Sequence, residues 1–240
     1  MVRWWGLVAG WGERVCAGDV VSLLDIIGPV MVGPSSSHTA GACRIGLLAR
    51  AMLGTEPERA EIGLHGSFAS TGLGHGTDLA LLAGLLGWTP DDTRLPAAEQ
   101  EARRRGLEFD FYPIDLGEVH PNSVRIKLAG AGEKLSVTAS SIGGGVVEVS
   151  QIDDFPVRLS GALPTLLLRY RDHPGVIAKV TGVLAEQGVN VATLTCNRLR
   201  RGGWALMAVE MDVAPSESAQ RRIAALPEMV WVRQLPSVMA

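Results

Sequence analysis

The sequence predicts an α+β protein built in two successive parts, and three observations predict it. First, between residues 21 and 158, helix-period and strand-period segments alternate and then give way to four short strand candidates, the pattern of helices layered over a mostly antiparallel sheet. Second, residues 163–240 read strand, helix, strand, strand, helix, strand, the β-α-β-β-α-β order of the ferredoxin-like split βαβ. Third, the chain changes character between them. Residues 163–240 hold nine Lys+Arg against six Asp+Glu, while the remainder holds 13 against 19. The junction, residues 159–164 (LSGALP), is small and rich in breakers. We place a domain boundary there.

Residues 1–20 are expected to lie outside the compact fold, as a disordered extension or the product of an over-early start codon. They hold three of the six tryptophans, and Gly10, Gly12, Glu13 and Arg14 interrupt the apolar stretch before it could serve as a signal sequence. The apolar segment 21–28 leads into a polar loop, residues 33–39 (GPSSSHT). A helix is predicted over about 39–53, with Leu47, Leu48, Ala51 and Met52 on its apolar side and Arg44 and Arg50 outward. Residues 61–66 form a short strand. A helix over about 77–87 is apolar nearly all round and should be buried. Residues 97–106 read as an exposed helix, and strands follow at about 107–113, 123–128, 134–140 and 146–152.

In the second part, residues 163–170 form an apolar strand. The next helix carries Val176, Ile177, Val180, Val183 and Leu184 on one buried face and stops at Gly188. Strands at 189–197 and 204–212, a helix at 216–226 and a last strand at 229–234 complete it.

Composition excludes several functions. A net charge of −3 and an aromatic content of 5% argue against nucleic-acid binding driven by charge or stacking. No run of 18 apolar residues occurs, so no membrane span is expected. Cys16, Cys43 and Cys196 are far apart and odd in number, which disfavours a disulfide framework or a self-contained zinc site and fits a reducing cytoplasm.

The most informative stretch is Ser35, Ser36, Ser37, His38 and Thr39. A single Ser there would simply cap a helix. Five consecutive hydrogen-bonding side chains at a helix start, where free N–H groups and the positive dipole end gather, favour a cradle for a carboxylate or phosphate. His75 and Thr77 precede the second helix and read equally well as a cap or as a second arm of the same site. His120 and Asn122 flank Pro121, and their composition favours a plain turn. His65 reads as a satisfied strand-end histidine. Residues 140–145 (SSIGGG) lack the lysine of a phosphate-binding loop and read as a tight turn. Asp172 to Gly175 (DHPG) is either a short strand-to-helix turn or a place where a ligand or a neighbouring subunit approaches the backbone.

These stretches, residues 22–41 (SLLDIIGPVMVGPSSSHTAG), 64–78 (LHGSFASTGLGHGTD), 120–123 (HPNS) and 141–145 (SIGGG), resemble the β subunit of iron–sulfur-dependent L-serine dehydratases. Residues 163–240, centred on DHPGVIAKVTGVLAEQGVNVATL, resemble an ACT regulatory domain. The resemblance implies an allosteric-substrate-binding-like α/β layered domain at 21–158 and an ACT domain at 163–240. It implies conversion of L-serine to pyruvate and ammonia by a [4Fe–4S] cluster that a partner α subunit ligates, with no metal ligand on this chain. Ser35, Ser36, Ser37, Thr39, Thr77 and Asn122 would bind substrate, and His38, His75 and His120 would transfer protons or steer the substrate. Asp172, Gly175, Val176 and Ile177 would bind a regulatory ligand, and the ACT domain would associate with a second copy. The first domain also resembles the allosteric substrate-binding domain of some phosphoglycerate dehydrogenases, which implies the competing function, a serine sensor without chemistry.

Overall fold

Two sheets organise residues 29–239, the part of the chain described by a computed structural model. The extension expected at 1–20, the apolar segment 21–28 and Cys16 lie outside the described residues.

The first sheet contains β1 (Arg59–Leu64), β2 (Glu108–Pro113), β3 (Ser123–Gly130), β4 (Glu133–Gly143), β5 (Val146–Ile152) and β6 (Phe155–Leu159), in the order β2-β1-β3-β4-β5-β6. Only β1 and β2 pair in parallel. The other neighbours are antiparallel. Four helices belong to this part: α1 (Ala42–Leu53), α2 (Gly66–His75), α3 (Thr77–Leu85) and α4 (Ala98–Arg104). A π-helical turn, Ser36–Gly41, runs directly into α1.

Helix α3 is buried, as its apolar sequence requires, with Leu81, Leu82, Ala83 and Leu85 inaccessible. It packs against α1 backbone to backbone at Gly46 and Gly84. A Cβ on Gly84 would sit 2.7 Å from the Leu47 nitrogen and 2.8 Å from Gly46 Cα. Only glycine allows that approach.

The second sheet contains β7 (Thr165–Arg171), β8 (Val191–Arg198), β9 (Trp204–Met211) and β10 (Met229–Leu235), in the order β10-β7-β9-β8. With α5 (Val176–Glu186) and α6 (Glu217–Ala224) it gives the expected β-α-β-β-α-β order. Period-two alternation divides its side chains between two cores. Leu166, Leu168, Tyr170, Met207 and Val209 meet Val176, Val180, Leu184, Ala219 and Ile223 of the two helices. Leu167, Leu206, Ala208 and Leu235 face the other way and join the core that includes Leu48, Met52 and Leu53 of α1. The Arg233 guanidinium of β10 also donates to the Leu53 carbonyl at 3.3 Å. Helix α1 therefore carries the serine-rich turn at one end and lies in a core shared with the second sheet.

Several expectations are corrected. Helix α2 is absent from the sequence reading because Gly66, Gly72 and Gly74 lower its intrinsic propensity. Tertiary packing overrides propensity here, with Phe68 fully buried in the first core. Strand β6 was not expected either. Arg44 does not face outward: it is 5% exposed, and its guanidinium donates to the Gly145 carbonyl at 2.7 Å. Ile177 is 45% exposed, because it lies about 100° round α5 from the buried Val176.

Candidate functional site

The serine-rich segment is part of a helix start rather than a loop before one. Ser35 is extended and is the N-cap, its Oγ accepting the His38 N–H at 3.2 Å. Such a start directs its first N–H groups and the positive end of the dipole outward. Ser35, Ser36, Ser37 and His38 are half-buried there. Thr39 is buried, and its hydroxyl donates to the His75 carbonyl at 3.2 Å, which ties the turn to the end of α2.

Facing His38 is one side of α2. Ser67, Thr71 and His75 recur every fourth residue, so they share a face. His38 Nε2 lies 3.1 Å from Ser67 Oγ and 3.2 Å from Thr71 Oγ1. The two hydroxyl oxygens are 3.2 Å apart, and Thr71 Oγ1 donates to the Ser67 carbonyl at 2.9 Å. His75 Nδ1 is 2.9 Å from the Thr71 carbonyl. A carbonyl only accepts, so this contact places a proton on His75 Nδ1. The two imidazoles lie 5.0 Å apart between centroids, and Phe68 packs edge-on against His38 at 5.3 Å. Burial, and after it the nearby His75, hold the His38 pKa below the ordinary histidine value of 6.5. His38 is therefore neutral near pH 7 and can accept a proton.

A third wall comes from the β3 start and the β4 end. Pro121 O accepts the Ser67 N–H at 2.9 Å, and Asn122 O accepts the Ser141 N–H at 2.9 Å. This joins residues 120–123, the α2 start and the end of β4, where residues 140–143 are strand and the tight turn expected at 140–145 is confined to 144–145. The exposed His120 ring accepts the Asn122 N–H on its Nδ1 at 3.1 Å. The structure thus brings the 120–122 backbone to the site, while the protein contact of the His120 ring is local. His65 accepts the Leu116 N–H at 3.2 Å at the end of β1. Thr77 is the first residue of α3, capped by Gly76 without a side-chain bond. Its buried hydroxyl has no partner. The buried Ser141 hydroxyl also has none, and it presses on Gly41 in the π-helical turn.

Sequence reasoning missed Ser67, Thr71, Ser141 and Arg44. The spacing 67, 71, 75 would have exposed the first two had residues 66–75 been read as a helix. Ser141 and Arg44 meet the turn only through tertiary packing.

In the second part, Asp172 accepts from the Arg198 guanidinium at 2.9 Å and from the Gly202 N–H at 3.0 Å. The Gly202 N–H, and then Arg198, hold its carboxyl below the usual range. Gly175 caps α5 at φ 89° with open space where a Cβ would stand. Val176 beside it is buried.

The described residues do not fit a metal cluster. No three His, Cys, Asp or Glu side chains among them converge. Cys43 donates to the Trp88 carbonyl at 3.1 Å, and burial pushes its thiol up to about 12. Cys196 stands on β8 in the other sheet. No helix among the described residues is long and apolar enough to cross a membrane.

Comparison with known proteins identifies the family. The family described as serine dehydratase beta chain matches residues 22–108, and the ACT domain matches residues 165–228. A probable L-serine dehydratase beta chain of Bacillus subtilis is 42% identical over 214 residues, covering 89% of this chain and 97% of that one. The L-serine dehydratase beta chain of Peptoniphilus asaccharolyticus is 39% identical over 204 residues, covering 84% and 92%. A D-3-phosphoglycerate dehydrogenase of Bacillus subtilis is 28% identical over 160 residues, covering 64% of this chain and 30% of that one. With the two beta chains matched along nearly their whole length, the chain belongs to the family of L-serine dehydratase beta chains and carries an ACT domain at its C-terminal end.

Proposed function

We propose that this chain is the β subunit of a two-chain L-serine dehydratase, a lyase that converts L-serine to pyruvate and ammonia only when paired with an α subunit. The observation that carries the reading is the junction of a serine-lined helix start with a neutral, hydroxyl-bonded histidine. The first half of that junction suits a carboxylate. Ser35, Ser36 and Ser37 form that helix start, and a helix N-terminus favours an anion by about 0.3–1 kcal/mol, rising to ~2 when partly buried. The second half suits proton movement beside the held substrate, with His38 and His75 as its agents. Thr77, Asn122 and His120 stand behind it as further substrate-side positions.

The [4Fe–4S] cluster in this reading belongs to the α subunit; among the described residues of this chain no three His, Cys, Asp or Glu side chains converge to hold one. It supplies Lewis-acid chemistry when bound. The division into 21–158 and 163–240 gives the second unit a regulatory task at Asp172, Gly175, Val176 and Ile177. Self-association through that unit belongs to the same reading, with β8 and β10 as the outer strands of its sheet. Two free thiols among the described residues, Cys43 and Cys196, are consistent with a cytoplasmic setting.

The test is pyruvate formation under anaerobic conditions by each chain alone and by the pair. The reading expects activity only in the pair, and loss of turnover in His38→Ala with the fold intact. Robust turnover by this chain alone, or by the His38→Ala pair, would contradict it. A second reading, a serine-sensing module without chemistry, rests on the similarity to D-3-phosphoglycerate dehydrogenase. It predicts that His38→Ala leaves turnover intact and alters only the response to serine.

A further inference from the structure

We infer that Thr71 is a positioning residue that fixes the proton-bearing nitrogen of both His38 and His75, leaving each ring's opposite nitrogen as a lone pair for chemistry. The inference rests on the proposed role of these histidines. The Thr71 hydroxyl has one proton, and it is committed to the Ser67 carbonyl at 2.9 Å. Towards His38 the Thr71 oxygen can then only accept. A hydrogen bond across the 3.2 Å to His38 Nε2 therefore requires the proton on the ring. Ser67 completes the arrangement. Its hydroxyl can donate to Thr71 Oγ1 and accept from the same Nε2–H, at 3.2 and 3.1 Å. Neutral His38 thus carries its proton on Nε2 and its lone pair on Nδ1.

The same residue acts on the second ring through its backbone. The Thr71 carbonyl takes the His75 Nδ1–H at 2.9 Å, so neutral His75 carries its lone pair on Nε2. One residue on one helical turn thereby sets opposite tautomers on two rings whose centroids are 5.0 Å apart. When His38 accepts a proton on Nδ1, its positive charge is shared with a hydrogen bond already in place at Nε2. No bond has to be broken, and the proton's place on Nε2 is unchanged. An orienting partner of this kind governs tautomer and angle without touching substrate.

The experiment is nitrogen-15 NMR of the histidines in the full chain above their titration range, with five rings to assign, beside kinetics of the reconstituted pair. Wild type should show His38 protonated on Nε2 and His75 on Nδ1. Thr71→Val should leave His38 as a tautomer mixture and lower kcat on the order of 10²-fold, the scale of general acid–base catalysis, with little change in KM. Thr71→Ser should restore both. A wild-type His38 protonated on Nδ1, or a Thr71→Val chain with unchanged tautomer and kcat, overturns the inference. If Thr71→Val does not fold, the wild-type and Thr71→Ser spectra decide it. The tautomer readout is independent of turnover, so loss of the catalytic reading through an active His38→Ala pair remains a separate result.

Discussion

Adding one methyl group at Gly84 tests whether the α1–α3 contact holds the site together. The Cβ of Gly84→Ala would collide with the Cys43 carbonyl and stand 2.7 Å from the Leu47 nitrogen, where ordinary contact begins at 3.4 Å. The partners are backbone, so no side chain can swing aside, and the helices must part by about 1 Å. Overpacking of this kind costs about 1–3 kcal/mol. For a chain of this size each kcal/mol lowers the melting temperature by ~2–4 °C, so a fall of roughly 2–12 °C is expected. The π-helical turn with His38 leads into α1, and His75 stands two residues before α3. Parting the helices therefore displaces one imidazole from the other, and a 1 Å misplacement costs about 10²-fold in rate. Thermal unfolding of the chain and kcat/KM of the reconstituted pair measure the two effects. The control is Gly182→Ala in α5, where nothing lies within 4 Å of the new Cβ and a small gain of about 0.5–1 kcal/mol is expected. A Gly84→Ala chain as stable and active as wild type would refute the reasoning.

Four further outcomes follow from the same structure. In His75→Gln, His38 loses one of the two influences that depress it, so its NMR titration should move up towards 6.5. The acid limb of kcat/KM should move with it; an unmoved His38 titration contradicts the assignment. In wild type the depressed value means that the unfolded chain binds this proton first, so the stability contributed by His38 is present above pH 6.5 and declines as pH falls through the folded value. Iodoacetamide should label Cys196 in the native chain and leave Cys43 unlabelled until unfolding, since Cys43 is buried with its thiol raised to about 12. A chain ending at Leu159 should aggregate or melt well below the full chain. Leu167, Leu206 and Leu235 leave the shared core with the second sheet, and each contributes about 1.5–3 kcal/mol. Monomeric behaviour with an unchanged melting temperature would contradict that shared core.

Much of this was legible in the sequence because it is carried by local patterns. The β-α-β-β-α-β order of the second unit follows from β-branched runs and one amphipathic helix, and local periodicity is enough to place them. The apolar α3 announced its burial for the same reason. What was not legible depends on partners distant in sequence. Arg44 looks like a solvent residue on a helical wheel, and only the Gly145 carbonyl, 101 residues away, explains its burial. Helix α2 looks like a loop because its glycines hide the periodicity. Its Ser67 and Thr71 therefore escaped notice, although their hydroxyls lie within hydrogen-bond distance of the His38 ring. The Ser35–Thr39 segment reads in the sequence as a candidate anion cradle at a helix start. Its division of labour does not, because which hydroxyl is engaged internally depends on where α2 ends.

The central claim is that the serine-lined helix start grips the carboxylate of a small amino acid in the αβ pair. Calorimetry with L-alanine, which keeps the carboxylate and amine of serine but has no hydroxyl to lose, measures that grip without turnover. The wild-type pair should give measurable heat, and Ser36→Ala should weaken binding roughly 10–150-fold, the scale of ~1.5–3 kcal/mol for a hydrogen bond to a charged group. No heat with wild type, or equal affinity in the two pairs, would contradict it.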